Sequence, residues 1–304
     1  LLSLPLPPLP RRAVYEIRLR CCAATGQFTR GVELGLPILT ELGLEYPDTH
    51  EGCLAALNTE LGDLEQWLTD NPNGFNDLPK EVALEHVLTD AIMAHVFTCM
   101  GLGRQSPLFV IGAVRRLRES IRRGTLTAIM PLFIGTLAHA ISAWNGEYRR
   151  AARWIAPAVA SAKHIGSPTL GECLSYQAIF TVYSRSYDES ASIHEQAIAA
   201  GLEFGSTLGV SFGLSNELLS YRVFRGQPLP IVDEYRQMRL PIMQKAGNAH
   251  GMYYFELTES YCKTLMNAAN AAKILETEPL ARGSRSSRKR PRRWPSPIAA
   301  TTPA

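Results

Sequence analysis

A helical apolar pattern recurs along this chain and limits what it can fold into. The pattern is clearest from Tyr148 onward, where apolar or small side chains fall at i, i+3, i+4, i+7, i+10, i+11 and i+14, on one side of an α-helix. The same spacing starts at Phe28 and at Tyr187, and a looser copy follows Phe224. The starts differ by multiples of about 40 residues, a length typical of stacked helix pairs. The chain is therefore predicted to be a repeat of helix pairs.

The same periodicity predicts the fold class. No stretch alternates apolar and polar residues with the period of two expected of strands, so the fold is predicted to be all-α, a right-handed superhelical stack of antiparallel helix pairs (an α-solenoid). A helix from Phe28 is expected to kink or end at Pro37, and another is expected to begin at Leu78-Pro79 with Val82 and Leu84 in the core. The remaining helices are predicted over 13–25, 54–68, 106–123, 126–144, 148–163, 170–183, 187–201, 207–224, 229–245 and 252–266.

Composition divides the chain into three parts. Residues 1–12 are a proline- and leucine-rich extension in which prolines are expected to prevent a helix, and residues 13–280 carry the repeat. Residues 281–304 are rich in arginine, serine and proline and are predicted to be a disordered tail. The seven arginine and lysine residues from Arg282 onward leave the rest of the chain with a net charge of −4, against +3 for the whole. The body therefore has no general attraction for nucleic acid.

The sequence predicts no catalytic, cofactor-binding or metal-binding site. Its six cysteines form no C-x-x-C pair and no zinc-like spacing with the seven histidines, so reduced thiols in a cytoplasmic protein are expected. A nucleotide-binding glycine loop and a signal-peptide pattern are both missing from the 304 residues. Residues 126–144 carry no charge and are the one candidate membrane span, but a buried repeat helix explains them better.

Two patterns suggest other functions. The run 209–213 reads G-V-S-F-G, which fits the nucleophile elbow of a serine hydrolase with Ser211 as nucleophile, and Asp233 and His250 follow in triad order. An elbow needs a buried strand before the serine, and the residues before Ser211 have no strand pattern. His194 occupies the repeat position of Ile155 and is expected to be a packed, hydrogen-bonded histidine rather than a metal ligand.

A cluster of arginines suggests nucleic-acid binding. It consists of five side chains on the helix predicted over 106–123, supplemented by the basic run 288–293 of the tail. The helix is expected to leave these arginines in solvent, where a charged face needs no ligand to explain it. The five are Arg115, Arg116, Arg118, Arg122 and Arg123.

The turns before Phe28 and Tyr148, T-G-Q-F and N-G-E-Y, resemble those of tetratricopeptide-type repeats. Residues 28–43, 146–166 and 244–248 further resemble the helical segment of large bacterial multidomain signalling proteins. In those proteins a serine/threonine kinase and an AAA-type ATPase precede the helices, and sensor and histidine kinase domains follow. No catalytic residue carries over, because the kinase glycine loop, the H-R-D and D-F-G triplets and a phosphoacceptor histidine box are all missing.

The resemblance implies a protein-contacting role. The chain is expected to be a non-catalytic scaffold that holds a protein partner or neighbouring kinase or ATPase domains, with self-association through apolar faces at the ends of the repeat. A hydrolase using Ser211 and a nucleic-acid-binding protein using the arginine clusters are the two alternatives.

Overall fold

The computed structural model describes residues 6–47, 49–103, 107–183 and 186–267. Within these residues the chain forms helices and no β-strand, so the all-α prediction is confirmed; an isolated bridge joins Lys80 and Leu126. The predicted tail, 281–304, lies outside the described residues. The twelve α-helices are α1 (Pro8–Ala24), α2 (Phe28–Glu41), α3 (His50–Asp70), α4 (Leu84–Gly103), α5 (Pro107–Arg123), α6 (Met130–Asn145), α7 (Tyr148–Ile165), α8 (Leu170–Tyr183), α9 (Tyr187–Glu203), α10 (Thr207–Asn216), α11 (Leu229–Ala246) and α12 (Ala249–Met266).

The expectation that prolines prevent a helix before residue 12 was wrong, and the helix from Phe28 does not end at Pro37. Helix α1 begins at Pro8 rather than after residue 12, because a proline in the first turn of a helix has no N–H bond to lose. Helix α2 continues through Pro37 to Glu41. Before the proline, Gly31 and Gly35 press against Cys99 and Val96 of α4, and after it Ile38 and Leu39 are buried, so α2 is packed on both sides of Pro37.

The segment before α4 is not helical, although a helix was predicted to begin at Leu78-Pro79. Helix α4 begins at Leu84, and the residues before it lie alongside the α5–α6 connection. The Leu126 N–H donates to the Pro79 carbonyl and the Glu81 N–H donates to the Leu126 carbonyl, both at 2.9 Å. These bonds satisfy the backbone without a helix. Val82 is 83% exposed and Leu84 is 57% exposed, so neither is the core residue that was predicted.

Helices from α6 onward contact one another in a regular order. Helix α6 contacts α7 and α8, α8 contacts α9 and α10, and α10 contacts α11 and α12. The N-terminal helices differ, since α1 and α2 both pack on α4 and α3 packs on α5. The regular order therefore covers the part of the chain where the helical pattern was clearest.

Glycines let α8, α9 and α10 approach closely. A Cβ placed on Gly201 of α9 would lie 2.6 Å from the Val210 backbone nitrogen of α10, and one on Gly171 of α8 would lie 2.9 Å from the Ala197 carbonyl oxygen. Gly201 is the i+14 position of the helical pattern that starts at Tyr187. The close approach of α10 explains why this position has no side chain.

The first helix pair and the last described helix touch. A Cβ on Gly26, in the α1–α2 turn, would lie 3.1 Å from the Ala249 Cβ at the start of α12. The rings of Phe28 and His250 are 6.3 Å apart and meet edge to face. The chain therefore brings its opening turn back against the beginning of its last described helix.

A membrane-spanning helix was one interpretation of residues 126–144. The helix in this run is α6, which begins only at Met130, has 16 residues and carries Pro131 in its first turn. Among the described residues, no helix has both the length and the apolar character that crossing a bilayer requires.

Candidate functional site

A cavity of about 520 Å³ is lined mainly by the even-numbered helices from α4 to α12. Aromatic rings form much of its wall, and each of these five helices supplies at least one. Size and aromatic lining are those of a ligand-binding cavity rather than of a packing defect. The rings belong to Phe97, Phe109, Phe133, His139, Tyr176, Phe212, Phe224, His250 and Tyr254.

Several of these rings contact each other in sequence around the wall. His139 stacks on Tyr176 with centroids 5.4 Å apart and planes at 26°, and Tyr176 meets Phe212 edge to face at 6.1 Å. Farther along, His250 lies 6.4 Å from Phe212 and 4.8 Å from Tyr254. Pairs in these geometries stabilise each other by about 0.5–1.5 kcal/mol beyond the area they bury, so the wall is preformed.

The cavity is uncharged. Among the described residues that line it there is no Asp, Glu, Lys or Arg. Burial lowers the pKa of both His139 and His250, which keeps the two imidazoles neutral near pH 7. Burial also raises the pKa of Tyr176 to about 12, so its phenol is protonated. Polar contacts inside come from neutral groups such as Thr136 and Asn216.

One buried polar atom of the cavity wall lacks a partner. Within the described part of the chain, His139 Nδ1 has no hydrogen-bonding group within reach. A buried nitrogen without a partner costs about 1–3 kcal/mol, so a hydrogen bond to His139 from a bound molecule would be stabilising.

A π-helix, Glu217–Val223, follows α10 at the edge of the cavity. The Phe224 N–H donates to the Leu219 carbonyl at 3.0 Å, which is the i to i−5 bond of this geometry. Leu219 and Phe224 both line the cavity. The helix predicted over 207–224 is therefore one continuous helical segment whose geometry changes from α to π at Glu217.

Buried Glu217 holds the π-helix in place. It is 1% exposed, accepts a hydrogen bond from the Tyr235 hydroxyl of α11, and pairs with Arg222 at 3.0 Å. The Arg222 guanidinium lies 3.4 Å from the centroid of the Tyr235 ring. Burial raises the pKa of Glu217, and the hydrogen bond from Tyr235 opposes that shift.

A smaller cavity of about 240 Å³ adjoins the first and has a different character. The two share Ala94, Thr98, Leu132 and Leu208, but the smaller one is also lined by charged and titratable side chains, namely Arg20, His95 and Glu172.

Glu172 lies 97% buried at this smaller cavity, since its relative exposure is 3%. Its Oε1 accepts a hydrogen bond from the Ser206 hydroxyl at 2.7 Å, and Ser206 Oγ in turn accepts the Gly209 N–H at the start of α10. Its Oε2 has no partner among the described residues. Burial raises the pKa of Glu172 to about 7, so the carboxyl is partly protonated at neutral pH.

Ser211 does not lie in a nucleophile elbow. It sits inside α10, is fully buried, and donates its hydroxyl to the Thr207 carbonyl at 2.7 Å. Asp233 pairs with Arg236, and His250 lies among aromatic rings, so the structure does not assemble the three as a triad. The glycines of the motif allow close packing between helices, since a Cβ on Gly213 would lie 2.7 Å from the Ile198 side chain of α9.

The arginines of α5 are paired with acids, and the expectation that all five face solvent was wrong. Arg116 is 6% exposed and its Nε donates to Asp90 at 2.8 Å. Arg115 binds Glu60 through two nitrogens, at 3.0 and 2.8 Å. Of the others, Arg118 pairs with Asp63, Arg122 with Glu119, and Arg123 with Glu119, Glu81 and Asp90.

Asp90 lies at the centre of these ion pairs. It is fully buried and also accepts a hydrogen bond from the Thr127 hydroxyl at 2.8 Å. Burial raises the pKa of Asp90, and the guanidiniums of Arg116 and Arg123 oppose that shift. The helix-face pattern could not reveal this arrangement, because the partners lie on other elements.

His194 is packed, as predicted, but not hydrogen-bonded. It is fully buried, and neither ring nitrogen has a partner among the described residues. Burial lowers the pKa of His194 to about 3, so the ring is neutral. The described residues contain no group of His, Cys, Asp and Glu arranged to hold a metal ion, and all six cysteines are free thiols.

No protein-family model, curated protein or solved structure matches this chain. Sequence reasoning missed the cavity, although one signal was visible: the uncharged run 126–144 supplies the cavity wall contributed by α6.

Proposed function

We propose that this chain is a non-catalytic helical-repeat scaffold that acts in bacterial signal transduction. On this proposal it works in the cytoplasm by holding a protein partner or neighbouring kinase or ATPase domains. The observation that carries the proposal is the regular packing from α6 to α12. Each even-numbered helix there contacts the next two helices of the chain, as stacked helix pairs do. We further propose that the pairs form a right-handed superhelix, as the tetratricopeptide-like turns imply.

The alternatives have less support. Ser211 lies inside a helix with its hydroxyl bound to the backbone, whereas a hydrolase needs the serine on a strained turn beside a base. The α5 arginines are bound to carboxylates, so their charge is largely compensated before any phosphate could approach.

The last described helix offers a surface for a partner. Tyr253, Leu257, Tyr261 and Leu265 recur every four residues along α12 and so share one face. Tyr253, Tyr261 and Leu265 are 42%, 44% and 52% exposed. An apolar stripe of this kind fits an amphipathic helix of a partner or of a second copy of the chain, which is how we expect self-association to occur.

Turnover measurements test the non-catalytic part of the proposal. Purified protein is expected to hydrolyse neither ATP nor a generic ester above background, because it lacks a phosphate cradle and a strained elbow. Ester turnover that disappears in Ser211→Ala would replace the scaffold with a hydrolase. ATP turnover would replace it with a cryptic kinase or ATPase.

Sedimentation velocity tests the contact surface. We expect wild-type protein to self-associate with rising concentration and the double variant Tyr261→Lys/Leu265→Lys to remain monomeric. Gln244→Lys, at an exposed polar position of α11, adds charge away from the stripe and should behave as wild type. Equal association of all three proteins would show that the stripe is not the contact surface.

A further inference from the structure

The uncharged aromatic cavity has a role that the scaffold proposal does not require. We propose that it is a binding site for an uncharged aromatic small molecule. This inference is independent of the proposed function, because it concerns the inner cavity and not the exposed face of α12.

The dimensions of the cavity favour a small molecule. A volume of about 520 Å³ lies inside the range of about 300–1,000 Å³ in which proteins bind small organic ligands. Phe224 lines the cavity and is 70% exposed, so the wall has an open side through which a ligand can enter.

The absence of charge selects the class of ligand. An ionised group inside would lose its water and find no counter-ion among the described lining residues, which makes its transfer costly. Phosphates, carboxylates and sulfonates are therefore disfavoured. A neutral aromatic ring gains the burial of its apolar area and edge-to-face contacts with Phe212 and Tyr176 instead.

A cation is disfavoured for a separate reason. Aromatic cages for quaternary ammonium groups direct several free ring faces at one point. Here His139 stacks against one face of Tyr176 at 5.4 Å, so that face is already covered. The described lining also lacks a carboxylate that would balance a positive charge.

The π-helix and the unpartnered His139 nitrogen both lie at this cavity and support the presence of a binding site. The π-helix positions Leu219 at the cavity, and single π turns within helices occur frequently at functional sites. On the wall formed by α6, His139 carries a buried nitrogen without a partner. The described lining also includes the neutral hydrogen-bonding side chains Thr136 and Asn216, which can serve one polar group of a ligand.

A matched pair of fluorescent probes tests the proposal on the 304-residue chain. N-phenyl-1-naphthylamine is neutral, and 8-anilinonaphthalene-1-sulfonate has the same ring skeleton with one negative charge. We expect the neutral probe to bind saturably at one site per chain, and the sulfonate to bind at least about tenfold more weakly because its charge is unpaired inside. Comparable affinities, or binding without saturation, would overturn the proposal.

Two lysine variants locate the binding site. Ile179 on α8 and Leu219 in the π-helix both line the cavity and are half-buried, so Lys can be accommodated at either position. Ile179→Lys and Leu219→Lys should each weaken the neutral probe at least about tenfold and strengthen the sulfonate, since a cation now lies at the wall. If one variant does not fold, the other alone tests whether the probe binds in the cavity.

Controls separate specific from general effects. Gln177→Lys places the same charge two residues from Ile179 on α8, outside the cavity lining, and should leave both probes unchanged. Benzyltrimethylammonium should fail to displace the neutral probe. Displacement by this cation would show that the site takes cations, and unchanged probe binding in both folded lysine variants would show that the probe binds elsewhere.

Discussion

Helices α3–α5 and helices α8–α10 are held together by different means. Around α5, charged side chains cross between helices, with Arg116 bound to the fully buried Asp90. Between α8, α9 and α10, backbones approach each other directly at Gly171 and Gly201. The first arrangement depends on having both members of each ion pair, whereas the second depends on the absence of a side chain.

The difference predicts which substitutions each region cannot accept. Removing one member of a buried ion pair should be most harmful in α3–α5, and adding a side chain where two backbones meet should be most harmful in α8–α10. Each of the following variants can confirm this contrast or contradict it.

The largest effect is expected from Arg116→Met. It leaves Asp90 buried without its main partner, which typically costs about 3–5 kcal/mol of unfolding free energy. Urea unfolding followed by circular dichroism measures the loss. Adding Asp90→Asn should recover part of it, because a buried neutral amide costs less than a buried charge. A loss below about 1 kcal/mol would indicate that Asp90 is held as the neutral acid and does not depend on Arg116.

A loss of about 3 kcal/mol is expected from Gly201→Val, since overpacking against a neighbouring backbone cannot be relieved by rotating a side chain. The new Cβ would lie 2.6 Å from the Val210 nitrogen. Gly62→Val in α3 is the matched control: nothing lies within 4 Å of its Cβ position, so it should change the free energy of unfolding by less than about 0.5 kcal/mol. Equal tolerance at both glycines would contradict the close approach of α9 and α10.

These two regions also differ in how well sequence reasoning predicts them. The helix predicted over 170–183 matches α8 at both ends, and the repeat pattern marks Gly201 as a position on the packed face. The pairing of Arg116 with Asp90 was not predicted, because helical spacing reports which residues share a face and not what faces them. The cavity was missed for the same reason, since its wall combines single residues from many helices.

The smallest effect is a pH dependence in α8–α10. Burial raises the pKa of Glu172 to about 7, above its ordinary value of 4.5, so between these values the folded protein holds a proton that the unfolded chain releases. Raising the pH through this window therefore lowers stability. Relative to Glu172→Gln, wild-type protein should lose about 2 kcal/mol between pH 5 and pH 7.

The comparison with Glu172→Gln is needed because His194 acts in the opposite direction. Burial lowers its pKa to about 3, so its contribution to stability grows as the pH rises toward 6.5. Both proteins contain His194, and its effect cancels in their difference. Thermal unfolding at several pH values measures that difference, and a constant gap between the two proteins would show that Glu172 is ionised in the folded state throughout.

The contact of the α1–α2 turn with α12 has a consequence for how the molecule comes apart. In a linear array the terminal units are bound on one side only, and they fray before the middle does. Here Gly26 and Phe28 rest against Ala249 and His250, so the opening turn and α12 are each other's neighbours. Loosening either one removes support from the other, and fraying at one end is transmitted to the far end without passing through the intervening helices.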